Sequence, residues 1–314
     1  MTTVYVVPCG VSALDQLSRK LPHGGSAVAK FTREIDGGKW LNGVDLDDAP
    51  AVPAAWSAKV EARATDAGLD DAPAKWLSAE THTLATRVTH RRLSPGQHVL
   101  LLASDTKDGL TAAFCVGQYL AGSASGLIGY ISSPKAADGK WDLAVTRYPV
   151  TVIRVRGLKP AGSDFNLAAL GIGMTLRAAC DLGAPVEVHL TGGYKATLLH
   201  TMAMTEVLYS MAPDRVSAWN VFEDVPPSGS GQPFAPGQPV APGRIGLRAH
   251  RPEYLNLWRT ELSGARDERN LGSRTLEGVG WTEDAAGKRR LTDFGWGYLA
   301  VLGDHASPRG DDNS

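Results

Sequence analysis

Short apolar runs rich in β-branched residues recur along the first two thirds of the chain, separated by polar or amphipathic stretches. Runs of about four to eight such residues, bounded by Gly, Pro or polar turns, are typical of buried strands. Five of them predict strands, at residues 4–7, 98–103, 150–155, 185–190 and 216–222. Pro8 marks the predicted end of the first strand, and the Gly-rich stretch before residue 150 leaves room for further short strands.

Amphipathic segments with apolar residues at helical spacing follow most of these runs. The first segment comes directly after Gly10-Val11-Ser12. Further helices are predicted near residues 54–66, 74–91, 108–121, 164–182 and 195–211. Asp105 or Thr106 is a candidate cap for the helix near 108, and Gly183 is a candidate end for the helix near 164.

Strands that alternate with helices predict an α/β fold, a Rossmann-like and mostly parallel sheet with helices on both faces. In such sheets ligands bind at the carboxyl ends of the strands, where each strand turns into its helix. The turns after the first, second and fourth predicted strands carry small polar residues. These three turns are therefore the first place to look for a site.

Changes of composition divide the chain. Four parts are predicted: a sheet domain at 1–225, a Pro- and Gly-rich linker at 226–243, a small second domain at 244–303 and a disordered tail at 304–314. The linker and tail are assigned because Pro, Gly, Ser and charged residues dominate them. Within the first domain, residues 23–53 and 122–148 are interpreted as insertions.

The second domain has the element pattern of a winged helix-turn-helix. Two helices are predicted near 252–263 and 265–277, followed by a hairpin turn at Asp284-Ala285-Ala286-Gly287 and a closing helix that starts near Leu291. Residues 244–303 hold ten basic and eight acidic side chains. This small excess disfavours DNA binding and favours a dimerising or capping role.

Composition and charge exclude several classes of protein. With 32 Lys and Arg against 33 Asp and Glu, the net charge of −1 argues against a protein that coats nucleic acid. Three scattered cysteines are too few for a disulfide framework or a Cys-based zinc site. No apolar run approaches the roughly 18 residues of a membrane span, and the N-terminus lacks a signal-peptide pattern. We therefore expect a cytoplasmic protein without membrane association.

The segment Thr191-Gly192-Gly193-Tyr194-Lys195 follows a predicted strand directly and opens a helix. Two glycines let backbone N–H groups approach an anion closely, and the helix N-terminus adds its dipole. Lys195 adds a positive charge, so the combination suits a phosphate or a phosphodiester. A tight turn with a solvated lysine explains the same residues equally well.

Four motifs occur in a fixed order along the chain: Gly10-Val11-Ser12, Glu80-Thr81-His82-Thr83-Leu84, Ser104-Asp105-Thr106 and Thr191-Gly192-Gly193-Tyr194-Lys195. With this set the chain resembles the CARF family, the CRISPR-associated Rossmann-fold sensors of cyclic oligoadenylate, over about residues 3–225. It is most similar to CARF proteins that carry a C-terminal winged helix. That group includes the standalone ring nucleases of type III CRISPR systems.

The resemblance implies a homodimer that binds cyclic tetra-adenylate across its two-fold axis. In the family's ring nucleases a Ser after the first strand and the Lys of the Gly-Gly turn lie at the cleaved phosphodiester, and these map onto Ser12 and Lys195. The other implied ligand contacts are Gly10, Val11, Ser104, Asp105, Thr106, Thr191, Gly192, Gly193 and Tyr194. Cleavage would need no metal and no cofactor, because RNA supplies its 2′-OH as the nucleophile. The products would be linear di-adenylates with a 2′,3′-cyclic phosphate, which ends the signal.

Two other functions stay open. The chain can be a non-catalytic sensor or transcription regulator that binds the same ring and acts through its winged helix. Alternatively, it can be an effector with an unrecognised catalytic tail. No acidic-acidic-Lys nuclease cluster is evident in residues 244–303, which counts against the effector.

Overall fold

The computed structural model of the chain describes residues 3–17, 45–46, 60, 62, 78–84, 93, 95–121, 128–133, 148–159, 164–193, 195–221, 243–267 and 274–303. Seven strands among these residues form the main sheet. Its strands are β1 (Thr3–Cys9), β2 (Gln97–Ala103), β3 (Ile128–Ser132), β4 (Val150–Arg154), β5 (Val186–His189), β6 (Val216–Asn220) and β7 (Gly243–Ile245). All neighbouring strands pair in parallel except β7, which pairs antiparallel with β6.

Helices connect and cover the strands. Within the described residues they are α1 (Ser12–Leu17), α2 (Ala79–Leu84), α3 (Lys107–Ala121), α4 (Phe165–Asp181), α5 (Lys195–Met211), α6 (Pro252–Arg266) and α7 (Asp293–Val301). A hairpin of β8 (Trp281–Glu283) and β9 (Arg289–Leu291) lies between α6 and α7. None of these helices is long and apolar enough to cross a membrane. The α/β class and the mostly parallel sheet are thereby confirmed, and they are consistent with a Rossmann-like fold.

The strand order β3-β4-β2-β1-β5-β6-β7 reverses at β1. The chain passes from β1 to β2 on one side and later returns to β5 on the other side. In open α/β sheets such a reversal leaves a crevice outside the carboxyl ends of the two strands that flank it. The fold therefore places the turns that follow β1 and β5 side by side, where ligands of such sheets bind.

Both faces of β1 are buried, which explains why its sequence is a continuous apolar run rather than an alternating one. Tyr5 and Val7 pack into a core with α1 and α3. Val4 and Val6 pack into a second core with α4 and α5 on the opposite face. Burial of a valine side chain stabilises the fold by about 1.5–3 kcal/mol, so this strand contributes to both layers.

All five predicted strands are confirmed, but Pro8 does not end the first one. β1 continues in register with β2 as far as the pair of Cys9 with Ala103, whereas its pairing with β5 stops at Val6. The N–H of Val4 donates to Pro185 O on the β5 side, and residue 8 faces the same side by the period of two. Proline has no N–H to donate to β5, so the ladder with β5 stops before residue 8, while the ladder with β2, which uses the other side of the strand, continues.

Several predicted segments fall on residues that the structure does not describe. They are the linker apart from residue 243, the tail at 304–314, most of the insertion at 23–53, and most of the helices near 54–66 and 74–91. The second of these helices contains α2. The segment 122–148 contributes the edge strand β3, which pairs in parallel with β4. The predicted boundary at residues 243–244 falls inside β7, which extends the main sheet.

The described part of residues 244–303, which we call the C-terminal unit, differs from the predicted pattern at its second helix. α6 ends at Arg266, and residues 274–280 form turns with a bridge between Glu277 and Trp281, so the helix predicted at 265–277 is wrong over its last four residues. The buried carboxylate of Glu261 explains this, because it accepts hydrogen bonds from the Leu276 N–H and the Trp281 indole N–H, both at 2.8 Å. The hairpin turn at 284–287 is confirmed, with Gly287 at a φ of 77°.

Helix α7 joins the C-terminal unit to the sheet domain through small residues. Trp296 and Ala300 share a core with Leu170 and Met174 of α4. At Gly173 of α4 an ideal Cβ would contact the carbonyl oxygen of Gly297 and lie 2.9 Å from Ala300 Cβ. The two helices are thus close enough that a methyl group at this position has no room.

We predict that Gly173→Ala destabilises the protein, whereas Gly117→Ala in α3 does not. At Gly117 the nearest atoms to a new Cβ are side-chain ends, Ile128 Cδ1 at 3.3 Å and Val150 Cγ1 at 3.4 Å. Overpacking against backbone costs about 1–3 kcal/mol, while Gly to Ala inside a helix gains up to about 1 kcal/mol. Denaturant unfolding followed by circular dichroism measures both variants. Equal stability of the two would contradict the tight contact between α4 and α7.

Candidate functional site

Two of the three predicted turns meet at the carboxyl edge of the sheet. β1 and β5 are neighbours, and an ideal Cβ on Gly10 would lie 3.4 Å from the backbone N of Gly193. We call the turns at residues 10–12 and 191–193 together the turn junction. The turn at residues 104–106 follows β2, on the other side of β1. The sequence prediction of a shared edge for the three turns is consistent with this order.

Each of the two glycines in the turn after β5 is required by a different structural feature. Gly193 has a φ of 97°, and an ideal Cβ there would lie 2.7 Å from Pro8 Cβ. At Gly192 an ideal Cβ would lie 2.6 Å from the carboxyl carbon of Glu80. Gly192 thus leaves room for a neighbouring side chain, and Gly193 supplies a backbone conformation that other residues rarely adopt.

A buried carboxylate, Glu80, lies directly under the turn junction. It is 1% exposed and accepts a hydrogen bond from Gly10 N at 2.7 Å. Its other oxygen accepts one from Ser12 Oγ at 3.3 Å. The sequence places Glu80 only in a local family-like pattern and predicts no role for it in the site.

The start of α2 explains how Glu80 is held. Ser78 N donates to Thr81 Oγ1 at 2.9 Å, and Thr81 N donates to Ser78 Oγ at 3.3 Å. This reciprocal pair is a form of capping box, and it fixes the first turn of the helix. The contact of Glu80 with a turn 70 residues earlier in the chain is not encoded in this local sequence.

Ser12 begins α1, and its hydroxyl group lies at the turn junction. Because its proton is donated to Glu80, the lone pairs of its oxygen remain for another donor. Its neighbour Val11 is exposed. Of the predicted catalytic pair, Ser12 is therefore at the expected edge, with its orientation set by a side chain that the prediction does not include.

The side chain of Lys195, the other predicted catalytic residue, lies outside the described part of the structure, as do Tyr194 and the side chain of His82. The backbone of Lys195 is described, and it forms the first residue of α5. With 17 residues, α5 has a full N-terminal dipole directed at the turn junction. Its N-terminus thus offers backbone N–H groups and positive potential at the end of the turn that follows β5.

Cys9 precedes the turn junction but is not a nucleophile. The thiol is buried beside Glu80 and Cys115. Burial, and then the negative charge of Glu80, raises the pKa of the Cys9 thiol well above its ordinary value. The thiol therefore stays protonated at neutral pH and acts as a packed apolar group.

Thr106 and Ser104 in the turn after β2 form a helix cap. Gly109 N donates to Thr106 Oγ1 at 3.0 Å, which confirms Thr106 as the cap of α3. Ser104 Oγ lies 2.8 Å from the same oxygen. The resemblance predicts that both hydroxyl groups contact the ligand, and the structure gives each of them a local partner.

Asp105 connects the turn after β2 to the end of β4. One carboxylate oxygen accepts from Arg154 Nε at 2.6 Å, and the other accepts from Gly157 N at 3.0 Å. The Arg154 and Asp105 side chains are largely buried, at 12% and 13% exposed. The resemblance predicts a ligand contact for Asp105, and in this structure its two oxygens hold neighbouring strand ends together.

Thr191 holds the ends of β5 and β6 together on the other side of β1. Its Oγ1 accepts from Val221 N at 2.8 Å and lies 3.2 Å from Asn220 Oδ1. The side chains of Asp105 and Thr191 thus brace the two flanks of the edge. The turn after β1 lies between these two flanks.

The chemistry available at the turn junction follows from these contacts. Backbone N–H groups, a helix N-terminus and an oriented hydroxyl suit an anionic ligand that carries a hydroxyl of its own. Among the described residues, no three His, Cys, Asp or Glu side chains are grouped as metal ligands. That cleavage at this edge needs no metal stays a prediction.

We predict that Asp105→Ala destabilises the fold by about 2–4 kcal/mol, because it leaves the largely buried Arg154 side chain without this carboxylate. Asp181→Ala is the matched control. Asp181 pairs with Arg177 at 2.8 Å, but it is 57% exposed, and such surface pairs contribute about 0–1 kcal/mol. Thermal and denaturant unfolding compare the two variants. Similar small losses in both would show that the Asp105 pair does not brace the edge.

Comparisons with known proteins do not assign the chain to a family. No protein-family model matches the sequence, and no curated protein matches it either.

Proposed function

We propose that the chain is a ring nuclease of the CARF type. It binds cyclic tetra-adenylate between two copies of itself and cleaves the ring into linear di-adenylates that end in a 2′,3′-cyclic phosphate. This reaction switches off type III CRISPR signalling. The assignment of residues 1–225 as a CARF domain and of 244–303 as a winged-helix unit belongs to the same proposal.

The turn junction is the observation that carries this proposal. Gly10 and Gly193 approach each other at the point where the strand order reverses, and α5 starts at Lys195 directly behind them. Ser12 presents a hydroxyl at the same edge. A phosphodiester and the ribose hydroxyl next to it match the two kinds of group that are found there.

Cleavage of RNA at such a site needs alignment and charge stabilisation. The 2′-oxygen attacks the adjacent phosphorus, the bond from phosphorus to the 5′-oxygen breaks, the 2′-OH loses its proton and the 5′-oxygen gains one. In-line alignment of the 2′-OH falls to Ser12. Lys195 and the N–H groups of Gly192 and Gly193 stabilise the charge that develops on the phosphoryl oxygens.

Two-fold symmetry makes a ring of four adenylates a suitable substrate for a dimer. A C2 dimer presents the same surface twice, so two cuts on opposite sides of the ring give two identical di-adenylates. Two apolar side chains near the turn junction are exposed, Val11 at 44% and Leu199 at 72%. If a second copy of the chain covered these side chains, apolar surface would be buried beside the bound ring, which supports a dimer.

A sensor that does not cleave is the second candidate, and the packing of α5 favours it. The N-terminus of α5 lies at the turn junction. Little more than one turn further along, His200 stacks on Phe294 of α7 with ring centroids 4.0 Å apart. A ligand that moves α5 would therefore press on the helix that supports the C-terminal unit. In this function the ring binds and stays intact.

The proposal is tested by incubation of the purified protein with cyclic tetra-adenylate in excess EDTA, with the tri- and hexa-adenylate rings in parallel. We expect di-adenylates with the mass of a 2′,3′-cyclic phosphate, separated by chromatography. A ring that binds but stays intact would favour the sensor. Activity that EDTA abolishes and Mg²⁺ or Mn²⁺ restores would contradict the metal-independent mechanism.

Lys195→Ala is expected to slow cleavage by about 100-fold or more, since one positioned charge at a phosphoryl transition state has an effect of this size. Lys159→Ala is the matched control. Lys159 follows β4 at the same edge, is 44% exposed and lies 3.8 Å from Asp164. Its removal should leave the single-turnover rate unchanged. An equal effect of both substitutions would mean that only the general charge of the edge matters.

A further inference from the structure

The Glu80 carboxylate decides which way the Ser12 hydroxyl points. A serine hydroxyl has one proton to donate and two lone pairs to accept with. Here the proton is donated to Glu80, and Glu80 itself is 1% exposed. While this 3.3 Å hydrogen bond is formed, the Ser12 oxygen can only accept a hydrogen bond from a ligand at the turn junction.

We propose that Glu80 is a positioning residue that makes Ser12 an acceptor and so selects a ribose 2′-OH at this place. The inference rests on the proposed function, because it names the group of the ring that Ser12 contacts. A phosphate oxygen has no proton to donate, so an acceptor at Ser12 disfavours it. A 2′-OH donates to Ser12, and its oxygen keeps its lone pairs for the attack on phosphorus.

The groups around Glu80 maintain the direction of the hydrogen bond from Ser12 to Glu80. The N–H of Gly10 can only donate, and its 2.7 Å bond occupies one carboxylate oxygen. The glycine at position 192 leaves the space that the carboxylate fills. Glu80 is therefore held between two glycines, with its second oxygen directed at Ser12.

Glu80→Gln reverses the polarity with almost no change of shape. The single amide oxygen must serve the Gly10 N–H, so the amide NH₂ faces Ser12 Oγ and donates to it. Ser12 then has its own proton free for the ligand. The variant should turn Ser12 from an acceptor into a donor.

The test measures binding of two rings, cyclic tetra-adenylate and its 2′-O-methyl analogue, whose ether oxygen can accept a hydrogen bond but has no proton to donate. Every protein carries Lys195→Ala so that the natural ring is not consumed. With Glu80 intact, we expect the natural ring to bind about three- to tenfold more tightly for each hydrogen bond that the analogue cannot form. With Glu80→Gln, the ratio of the two dissociation constants should fall to about one or reverse.

Glu261→Gln is the matched control for burial. Glu261 is 0% exposed and accepts from Leu276 N and from the Trp281 indole, both in the C-terminal unit. Both Glu to Gln variants should be less stable than the parent, but only Glu80→Gln should change the ratio. If Glu80→Gln does not fold, Ser12→Ala removes the acceptor instead, and the ratio should again fall to about one.

The outcomes separate the inference from the proposed function. If neither ring binds, the proposed function fails and the inference fails with it. If both rings bind and the ratio is the same in the parent, in Glu80→Gln and in Ser12→Ala, the ring site stands and the inference is overturned. A preference that disappears in both variants, with the Glu261→Gln ratio unchanged, supports it.

Discussion

The hydrogen bonds that the buried Glu80 carboxylate accepts are the constraint on which the site depends. A carboxylate removed from water is costly unless donors satisfy it, so the fold has to bring Gly10 N and Ser12 Oγ to it. The same carboxylate leaves no space for a side chain at residue 192. One buried group thereby sets the position of the β1 turn, the residue type in the β5 turn and the orientation of the serine.

The packing of α5 is a second constraint, and it connects the turn junction to the C-terminal unit. α5 begins at the turn junction and continues beneath the C-terminal unit, where Met204 packs against Gly297 and His200 stacks on Phe294. β7 also adds the segment that precedes α6 to the main sheet. The C-terminal unit is therefore part of the same packed body as the described sheet. A nuclease and a sensor would use this body differently, the first for rigid alignment and the second for transmission.

Local patterns predict the elements well, because strands, caps and turns are encoded by neighbouring residues. The continuous apolar runs predict β1, β2, β4, β5 and β6, and Thr106 is among the candidate caps. Contacts between distant residues cannot be predicted in this way. The helix expected at 274–277 is replaced by turns because Glu261 accepts their N–H groups. The roles of Glu80 and of Asp105 with Arg154 likewise depend on partners far along the chain.

The stoichiometry of ring binding tests the central claim most directly, since that claim is one ring held by two copies of the turn junction. Isothermal titration of cyclic tetra-adenylate into the Ser12→Ala variant measures it with little turnover. The account predicts a single transition at one ring for every two chains, in a complex whose mass corresponds to a dimer. One ring per chain, or no binding heat at concentrations that saturate a CARF-type site, would contradict the account.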